Sequence, residues 1–242
     1  MKLKVLWMYH DLMDLYGDKG NIQVIKMRCA LRGIECVVDT CTLNEAKDIR
    51  GYDLLFIGGG ADKEQSLLVQ DLLSRKQNIK EAMEKGTFVL LICGGYQLFG
   101  QYYLDGDGHK IEGLGFFDYY TESATRDVRC IGNIAIEVNV EGKKFKAVGF
   151  ENHGGQTKNV SSPLGRVLSG HGNSFHDGFE GFYNGQVLGT YMHGPLLPKN
   201  PKLADLIIQK ALFKNYGDVT LEALDDTLEE KAQQVMLERI LK

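Results

Sequence analysis

Several features that mark other protein classes are missing from this 242-residue sequence. No apolar run reaches about 18 residues, so a membrane-spanning helix is not expected. The net charge of −4 gives no electrostatic reason to expect binding to nucleic acid or to an anionic membrane. The N-terminal segment 1–10 turns polar too quickly for a secretory signal, and there is no low-complexity linker or internal repeat. We therefore expect one cytoplasmic domain over 1–242.

Cysteine pairing is also missing. The five cysteines are odd in number, form no C-x-x-C motif and stand at Cys29, Cys36, Cys41, Cys93 and Cys130. Without an export signal, this pattern favours free thiols in a reducing compartment. No His/Cys spacing is typical of zinc binding, so we expect no metal site.

Apolar segments alternate with helical ones through the first half of the chain. We predict strands at 3–8, 34–39, 53–57 and 88–92, and helices at 21–32, 63–74 and 78–85. A βαβ opening of this kind predicts an α/β fold with a mostly parallel central sheet flanked by helices.

The second half has a different pattern. Alternating residues at 132–140 and 145–150 predict antiparallel strands beside the main sheet, whereas 151–155 and 161–177 are expected to be loops. Asn184-Gly185 predicts a hairpin whose second strand, 186–192, leads into His193. Two helices, about 201–216 and 221–241, end the chain. The last is expected to dock on the surface or to form part of a partner interface.

The stretch around Cys93 is the most informative. A short apolar run, 88–92, leads directly into this cysteine and two glycines, which is typical of a buried parallel strand. Gly94 and Gly95 permit a tight turn into a helix, so Cys93 resembles the nucleophile of a strand-turn-helix elbow. The helix N-terminus would favour a thiolate and hold an oxyanion. The alternative is a buried cysteine that only fills the core.

Two more loops follow predicted strands: Gly58-Gly59-Gly60 and His193-Gly194. Ligands of open α/β sheets bind at the carboxyl ends of strands. The triple-glycine loop either exposes N–H groups to an anion or is a plain turn, and it matches neither the Walker A nor the Rossmann spacing. A thiol and an imidazole on neighbouring loops supply the two groups that a thiol hydrolase needs, although His193 could instead belong to the core.

Taken together, these motifs resemble those of triad-type glutamine amidotransferase domains. Cys93-x-Gly95-x-Gln97 follows an apolar strand, and a strand-Gly-Gly-Gly loop lies upstream. The patterns at 149–157 and at Tyr191-Met-His193-Gly194 are similar to the cobyric-acid-synthase branch, and within it to the amidotransferase subunits of lipid II isoglutaminyl synthases. The resemblance runs from 15–21 to 193–200 and so covers nearly the whole chain.

This resemblance implies a class I glutamine amidotransferase-like fold and a glutaminase. Cys93 would attack the side-chain amide of L-glutamine, releasing ammonia and leaving a glutamyl thioester. His193 would act as general base and acid. Backbone N–H groups near Gly59 or Gly60 and of Gly94 would form the oxyanion hole.

The resemblance also implies substrate contacts and a partner. Gln97 matches the family's glutamine-pocket position, and Arg129 would hold the substrate or flank the ammonia path. Ammonia would pass to a separate Mur-ligase-like subunit in a heterodimer. That subunit would use ATP and Mg to activate the α-carboxylate of the D-glutamate in lipid II, near the inner face of the membrane. This chain has no ATP-binding motif, so no cofactor of its own is expected.

The sequence departs from the family pattern at two places. Leu91 stands where the elbow usually has glycine, and Pro195 stands two residues after His193, where the triad usually has an acid. A Cys–His dyad with modest glutaminase activity in the absence of the partner is therefore expected.

Two candidate site residues have structural alternatives. His153 is expected to donate a hydrogen bond that stabilises its loop. Arg129 could pair with Glu122 or Asp127 on the surface. For the whole chain, the alternatives are a cobyric-type amidotransferase with another acceptor, another thiol amidase, and a non-catalytic subunit that has kept the fold.

Overall fold

The computed structural model describes residues 1–123 and 128–242. The strands in these ranges are β1 (Lys2–Met8), β2 (Glu35–Cys41), β3 (Leu54–Ile57), β4 (Phe88–Ile92), β5 (Tyr102–Leu104), β6 (Lys110–Glu112), β7 (Tyr120–Ser123), β8 (Cys130–Val140), β9 (Lys143–His153), β10 (Gly155–Lys158), β11 (Gly165–Ser169), β12 (Phe179–Glu180), β13 (Phe182–Tyr183) and β14 (Val187–Thr190). The α-helices are α1 (Lys19–Ala30), α2 (Asp62–Ser74), α3 (Lys76–Glu84), α4 (Gly94–Phe99), α5 (Pro201–Tyr216) and α6 (Thr227–Ile240). None of these helices is long and apolar enough to cross a membrane.

A mostly parallel sheet forms the centre of the fold, in the order β13-β14-β4-β3-β1-β2. All neighbours are parallel except β13 and β14, which form the hairpin predicted at Asn184-Gly185. Every residue of β3, β4 and β14 is buried, as expected for parallel strands covered by helices. The α/β fold with a mostly parallel sheet, predicted from the alternation of apolar segments, is confirmed.

Two smaller sheets lie beside the central one, in the orders β10-β7-β5-β6 and β12-β11-β8-β9. The long β8–β9 hairpin pairs from Val140 with Lys143 to Cys130 with His153. An antiparallel bridge joins Phe150 of β9 to His193 just after β14. The predicted antiparallel portion is therefore present, and its hairpin reaches the carboxyl edge of the central sheet.

Two predicted loops are wrong. The segment 151–155 was expected to be a polar glycine loop, but β9 continues through His153 and β10 begins at Gly155. Full-length pairing with β8 satisfies the backbone of these polar residues, so their composition does not decide their conformation. The segment 161–177 was also expected to be a loop, yet it contains β11, which pairs with β8 and β12.

The C-terminal helices agree with prediction only in part. The helix at 201–216 is confirmed as α5, whereas α6 begins at Thr227 and not near 221. Val219 and Leu221 pack against the core outside any helix, so Leu221 does not belong to the helix that was predicted to begin there.

A buried arginine joins α1 to these C-terminal elements. Arg28 is 2% exposed and makes bidentate contacts with two carboxylates. Its guanidinium donates to both oxygens of Asp205 at 2.7 and 2.8 Å and to both oxygens of Asp226 at 2.6 and 2.8 Å. Arg32 donates to Asp205 as well, at 2.7 Å. Such pairs do not guarantee net stability, but removing one partner leaves uncompensated charge.

We predict that Arg28→Ala destabilises the protein by about 3 kcal/mol, because Asp226 loses its arginine partner and Asp205 keeps only Arg32. Arg50→Ala is the matched control, since the Arg50–Asp48 pair is exposed and its loss should change stability far less than the loss of Arg28. Urea unfolding followed by circular dichroism measures both. Equal losses in the two variants would contradict the assigned role of Arg28.

A buried carboxyl joins β12 to the end of β14. Glu180 is fully buried, and its Oε1 accepts hydrogen bonds from the Thr190 hydroxyl (2.9 Å) and the Tyr191 N–H (2.6 Å). Burial raises the pKa of Glu180 to about 8, since the two hydrogen bonds do not offset the loss of water. The folded protein thus binds a proton at a pH where the unfolded chain has lost it.

This proton makes stability fall as pH rises. The pKa of Glu180 is near 4.5 in the unfolded chain and about 8 in the folded protein. Between these two values, each rise of one pH unit should lower the free energy of unfolding by about 1 kcal/mol. In Glu180→Gln that contribution disappears. Urea unfolding from pH 5 to 9 should show the wild type losing stability relative to this variant, with exposed Glu84→Gln as control. A difference that stays constant with pH would refute the protonation.

Candidate active site

Cys93 occupies a strained turn between β4 and α4. Its backbone has φ 47° and ψ −103°, a conformation that residues with a side chain seldom adopt. Its N–H donates to the Thr190 carbonyl at 2.8 Å, which fixes the turn to β14. Strain of this kind persists where the surrounding structure enforces it, often at functional sites. The elbow geometry predicted from the sequence is confirmed.

The triple-glycine loop after β3 packs tightly against the elbow. A β carbon on Gly59 would lie 2.7 Å from His193 Cε1, one on Gly60 would lie 2.2 Å from Met13 Sδ, and one on Gly94 would lie 2.9 Å from the Gly60 carbonyl. Glycine is needed here because there is no room for a side chain, and not because of a left-handed backbone.

The buried carboxyl group of Asp18 accepts a hydrogen bond from one N–H of this loop. Asp18 Oδ2 accepts from Gly59 N–H at 2.6 Å, and Asn21 Nδ2 donates to its Oδ1 at 3.3 Å. Burial raises the pKa of Asp18 to about 7. The motif at 15–21 contributed to the family resemblance, but no pattern in it predicts that Asp18 contacts the triple-glycine loop.

His193 lies above the carboxyl end of the central sheet. Its strand, β14, is on one side of β4, while its imidazole contacts Gly59 from β3 on the other side. The ring therefore crosses the end of β4, where Cys93 follows. It is fully buried, and the Tyr16 ring covers it edge-on at 5.0 Å between centroids. Neither ring nitrogen has a hydrogen-bond partner among the residues that the structure describes.

Burial determines the charge state of both reactive groups. It lowers the pKa of His193 to about 3, with smaller contributions in the same direction from His153 and Lys199. It raises the pKa of the Cys93 thiol to about 12, and the charge of Asp18 adds to this effect. The Gly94 N–H and Arg129 lower the thiol pKa, as expected at a helix N-terminus, but by less. The resting site therefore holds a neutral thiol and a neutral imidazole, not the expected thiolate.

A cavity of about 100 Å³ opens beside Cys93. Its lining includes four of the other residues singled out from the sequence, Gly60, Gln97, Arg129 and His153, but not His193. The full lining is Leu15, Gly60, Ala61, Asp62, Gln65, Cys93, Gln97, Tyr103, Arg129, Asn152, His153 and Gly154.

Arg129 stands at the mouth of this cavity in a chain of polar side chains. Its Nε donates to Asn152 Oδ1 at 2.9 Å, and Asn152 Nδ2 donates to the Tyr16 hydroxyl. Of the alternative surface partners, Glu122 accepts from Lys158 instead, and Asp127 lies outside the described residues. Tyr16 and Asn152 were not identified from the sequence, since their importance comes from covering His193 and contacting Arg129.

Gln97 is held at the inner wall of the cavity. Its Oε1 accepts from Gln65 Nε2 at 3.0 Å, and its Nε2 donates to the Tyr191 hydroxyl at 3.2 Å. Tyr191 continues this chain to Thr157 at 2.6 Å. Gln97 thus lines the same cavity as Cys93, with its amide already engaged by protein groups.

One ring nitrogen of His153 makes a hydrogen bond, and the other has no hydrogen-bond partner in the described part of the chain. Its Nδ1 donates to the Gly155 carbonyl at 2.7 Å, and its ring stacks on Tyr191 at 3.7 Å between centroids. The predicted hydrogen-bond donor role is therefore confirmed, although in a strand and not in a loop. Its Nε2 lies 3.8 Å from a Glu151 oxygen.

Comparison with known proteins gives a consistent result. Residues 4–201 match the CobB/CobQ-like glutamine amidotransferase domain family. Relatives named lipid II isoglutaminyl synthase (glutamine-hydrolyzing) subunit GatD are 41% identical in Staphylococcus aureus, over 97% of this chain and 96% of the relative, and 40% identical in Streptococcus pneumoniae, over 95% and 88%. A probable cobyric acid synthase from Methanococcus maripaludis is 30% identical over 86% of this chain but only 44% of its own length.

A solved structure has a similar fold. A crystal structure of a glutamine amidotransferase aligns with TM-score 0.55 and 17% identity, covering 85% of this chain and 98% of that one. The elbow at Cys93, the predicted fold and the family match agree. The chain belongs to the CobB/CobQ-like glutamine amidotransferase family.

Proposed function

We propose that this chain is the glutaminase subunit of a two-chain lipid II isoglutaminyl synthase. The observation that supports this chemistry is the position of Cys93. It lies at a strained elbow and lines a cavity together with Arg129, and the neighbouring triple-glycine loop contacts His193. The two GatD relatives support the acceptor, since they align over nearly their whole length. The cobyric alternative has less support, because the chain spans under half of that relative.

Glutamine needs more room than the resting cavity provides. A cavity of roughly 150 Å³ holds benzene, and this one measures about 100 Å³. The Tyr16–Asn152–Arg129 chain covers both its mouth and His193, so this chain must shift when substrate enters. Arg129 then pairs with the α-carboxylate of glutamine, the only negative group on the substrate.

Attack begins with a proton transfer from the Cys93 thiol to His193. The sulfur bonds to the amide carbon, and the carbonyl π electrons move to oxygen. Gly59 N–H was also a candidate donor to this oxyanion, but it is held by Asp18. We therefore assign the oxyanion to the N–H groups of Gly60 and Gly94, worth roughly 2.7–4 kcal/mol per donor.

Collapse of the intermediate releases ammonia. His193 returns its proton to the amide nitrogen, the C–N bond breaks, and a glutamyl thioester remains on Cys93. His193 next takes a proton from water, whose oxygen attacks the thioester, and glutamate leaves as the thiol is reformed. Because burial favours the neutral forms of both groups, turnover should be slow until substrate and partner reshape the site.

Ammonia would then be used by a separate subunit. The word subunit in the names of the GatD relatives supports a partner. We infer a Mur-ligase-like chain that binds ATP and Mg and activates the α-carboxylate of D-glutamate in the stem peptide of lipid II. An acyl phosphate attacked by ammonia would give the amide and release phosphate. A lipid-linked acceptor would bring the complex to the inner face of the membrane.

Glutaminase activity should depend on Cys93. We predict that Cys93→Ala lowers ammonia release from L-glutamine by at least about 10³-fold, because no other group can form the thioester. Cys36→Ala, which changes a half-buried thiol on β2, should retain activity. Ammonia is measured with a coupled dehydrogenase assay. Unchanged release from Cys93→Ala would exclude this nucleophile.

Lipid II amidation should require a second polypeptide. We predict no amidated product when this chain is incubated with lipid II, ATP, Mg and glutamine, and product by mass spectrometry once the ligase subunit is added. An ammonium salt should restore amidation to the complex that carries Cys93→Ala, since only the ammonia source is lost. Amidation by this chain alone would refute the division of labour.

A further inference from the structure

A second glutamine, Gln65, lies beside the nucleophile. It stands in the first turns of α2, just after the triple-glycine loop, and is 1% exposed. Its Cδ and Nε2 would each lie 3.0 Å from a β carbon on Gly94, the residue after Cys93. Gln65 also lines the cavity that contains Cys93. Its carboxamide is therefore next to the reacting end of any substrate bound at the thiol.

The orientation of this carboxamide is fixed by its neighbours. Gln65 Nε2 lies 3.2 Å from the Gly60 carbonyl, which can only accept a hydrogen bond, and 3.0 Å from Gln97 Oε1. The nitrogen must therefore be on this side of the group, and both of its hydrogens are used. Gln97 Oε1 accepts the second of these hydrogen bonds, so the Gln97 amide is also fixed in direction, with its Nε2 toward the Tyr191 hydroxyl.

This arrangement leaves one acceptor without a donor. Gln65 Oε1 is buried, and no donor among residues 1–123 and 128–242 reaches it. A buried oxygen with no partner is costly in a folded protein and is usually satisfied by some other group. A substrate amide would supply that group, because it carries two N–H donors and binds in the same cavity.

We infer that Gln65 Oε1 accepts a hydrogen bond from the carboxamide N–H of the bound glutamine and selects the amide over other γ-substituents. This inference rests on the proposed glutaminase function. Glutamate or an ester presents only oxygen at that position, so two acceptors would face each other and the buried oxygen would stay unpaired. Gln65 is thus a specificity-determining residue that contacts the leaving nitrogen.

The test compares an amide with an ester. L-Glutamine and L-glutamate γ-methyl ester share the α-amino and α-carboxylate groups, but the ester has no N–H at the leaving atom. Glutamate formation from each is measured for wild type, Gln65→Met and Gln70→Met, with the ligase subunit present. Gln70 is on the exposed side of the same helix and controls for the substitution itself.

We expect Gln65→Met to lower kcat/KM for glutamine by about 10- to 100-fold and for the ester by less than about 3-fold. Gln70→Met should change neither. Equal losses with both substrates would overturn the inference, since Gln65 would then act on the shared α-amino group or on the oxyanion loop. Failure of wild type to use either substrate would instead refute the proposed glutaminase.

A second measurement does not depend on the folding of Gln65→Met. A crystal structure of Cys93→Ala with bound glutamine leaves Gln65 intact. The carboxamide nitrogen should lie within about 3.2 Å of Gln65 Oε1. A bound glutamine whose carboxamide nitrogen lies beyond about 3.5 Å from that oxygen would overturn the inference.

Discussion

Burial of a thiol and an imidazole governs the chemistry of this site. Removal from water favours the neutral form of each group, and the charged neighbours among residues 1–123 and 128–242 do not reverse that effect. A thiolate–imidazolium pair therefore cannot persist in the resting protein. In the mechanism that we propose, charge develops only when a substrate oxygen reaches the N–H donors at the elbow, so proton transfer and attack are coupled to occupancy.

The same burial means that the site must open, and opening has thermodynamic consequences. The Tyr16 ring and the Asn152–Arg129 contact keep the closed form. If about 1% of molecules are open, substrate binds about 100-fold more weakly than its intrinsic affinity allows. A partner removes this loss only by binding the open form more tightly than the closed form. Low activity without the ligase subunit would then follow from the closed site alone.

The sequence predicted those parts of the fold that depend on local patterns. Apolar runs bounded by glycine identified β3 and β4, and Asn184-Gly185 identified the β13–β14 hairpin. The end of β9 was missed because its polar residues are held by pairing with β8, which local composition does not reveal. The start of α6 was misplaced because Val219 and Leu221 bury their side chains without forming a helix.

The predictability of the site has the same limit. Cys93 could be found because an elbow requires a nucleophile between an apolar strand and two glycines. The Asp18 contact with Gly59 and the position of Tyr16 over His193 could not, since each joins residues far apart in sequence. The triple-glycine loop was recognised from the sequence, but its glycines were explained by the need for the backbone to turn. The structure shows a lack of space, most clearly at Gly58, where a β carbon would lie 2.2 Å from the Met13 carbonyl oxygen.

Directional hydrogen bonding assigns different roles to the two glutamines of the cavity. The family pattern identifies Gln97, yet both ends of its amide are engaged, one with Gln65 and one with Tyr191. Gln97 can therefore hold Gln65 in place while Gln65 keeps the unpaired oxygen. Reversing Gln65 would set its oxygen against the Gly60 carbonyl, and reversing Gln97 would leave two N–H donors facing each other. The inferred selectivity for an amide then follows from a chain of hydrogen bonds with fixed directions, which begins at the Gly60 carbonyl. Gly60 belongs to the same loop whose N–H we assign to the oxyanion.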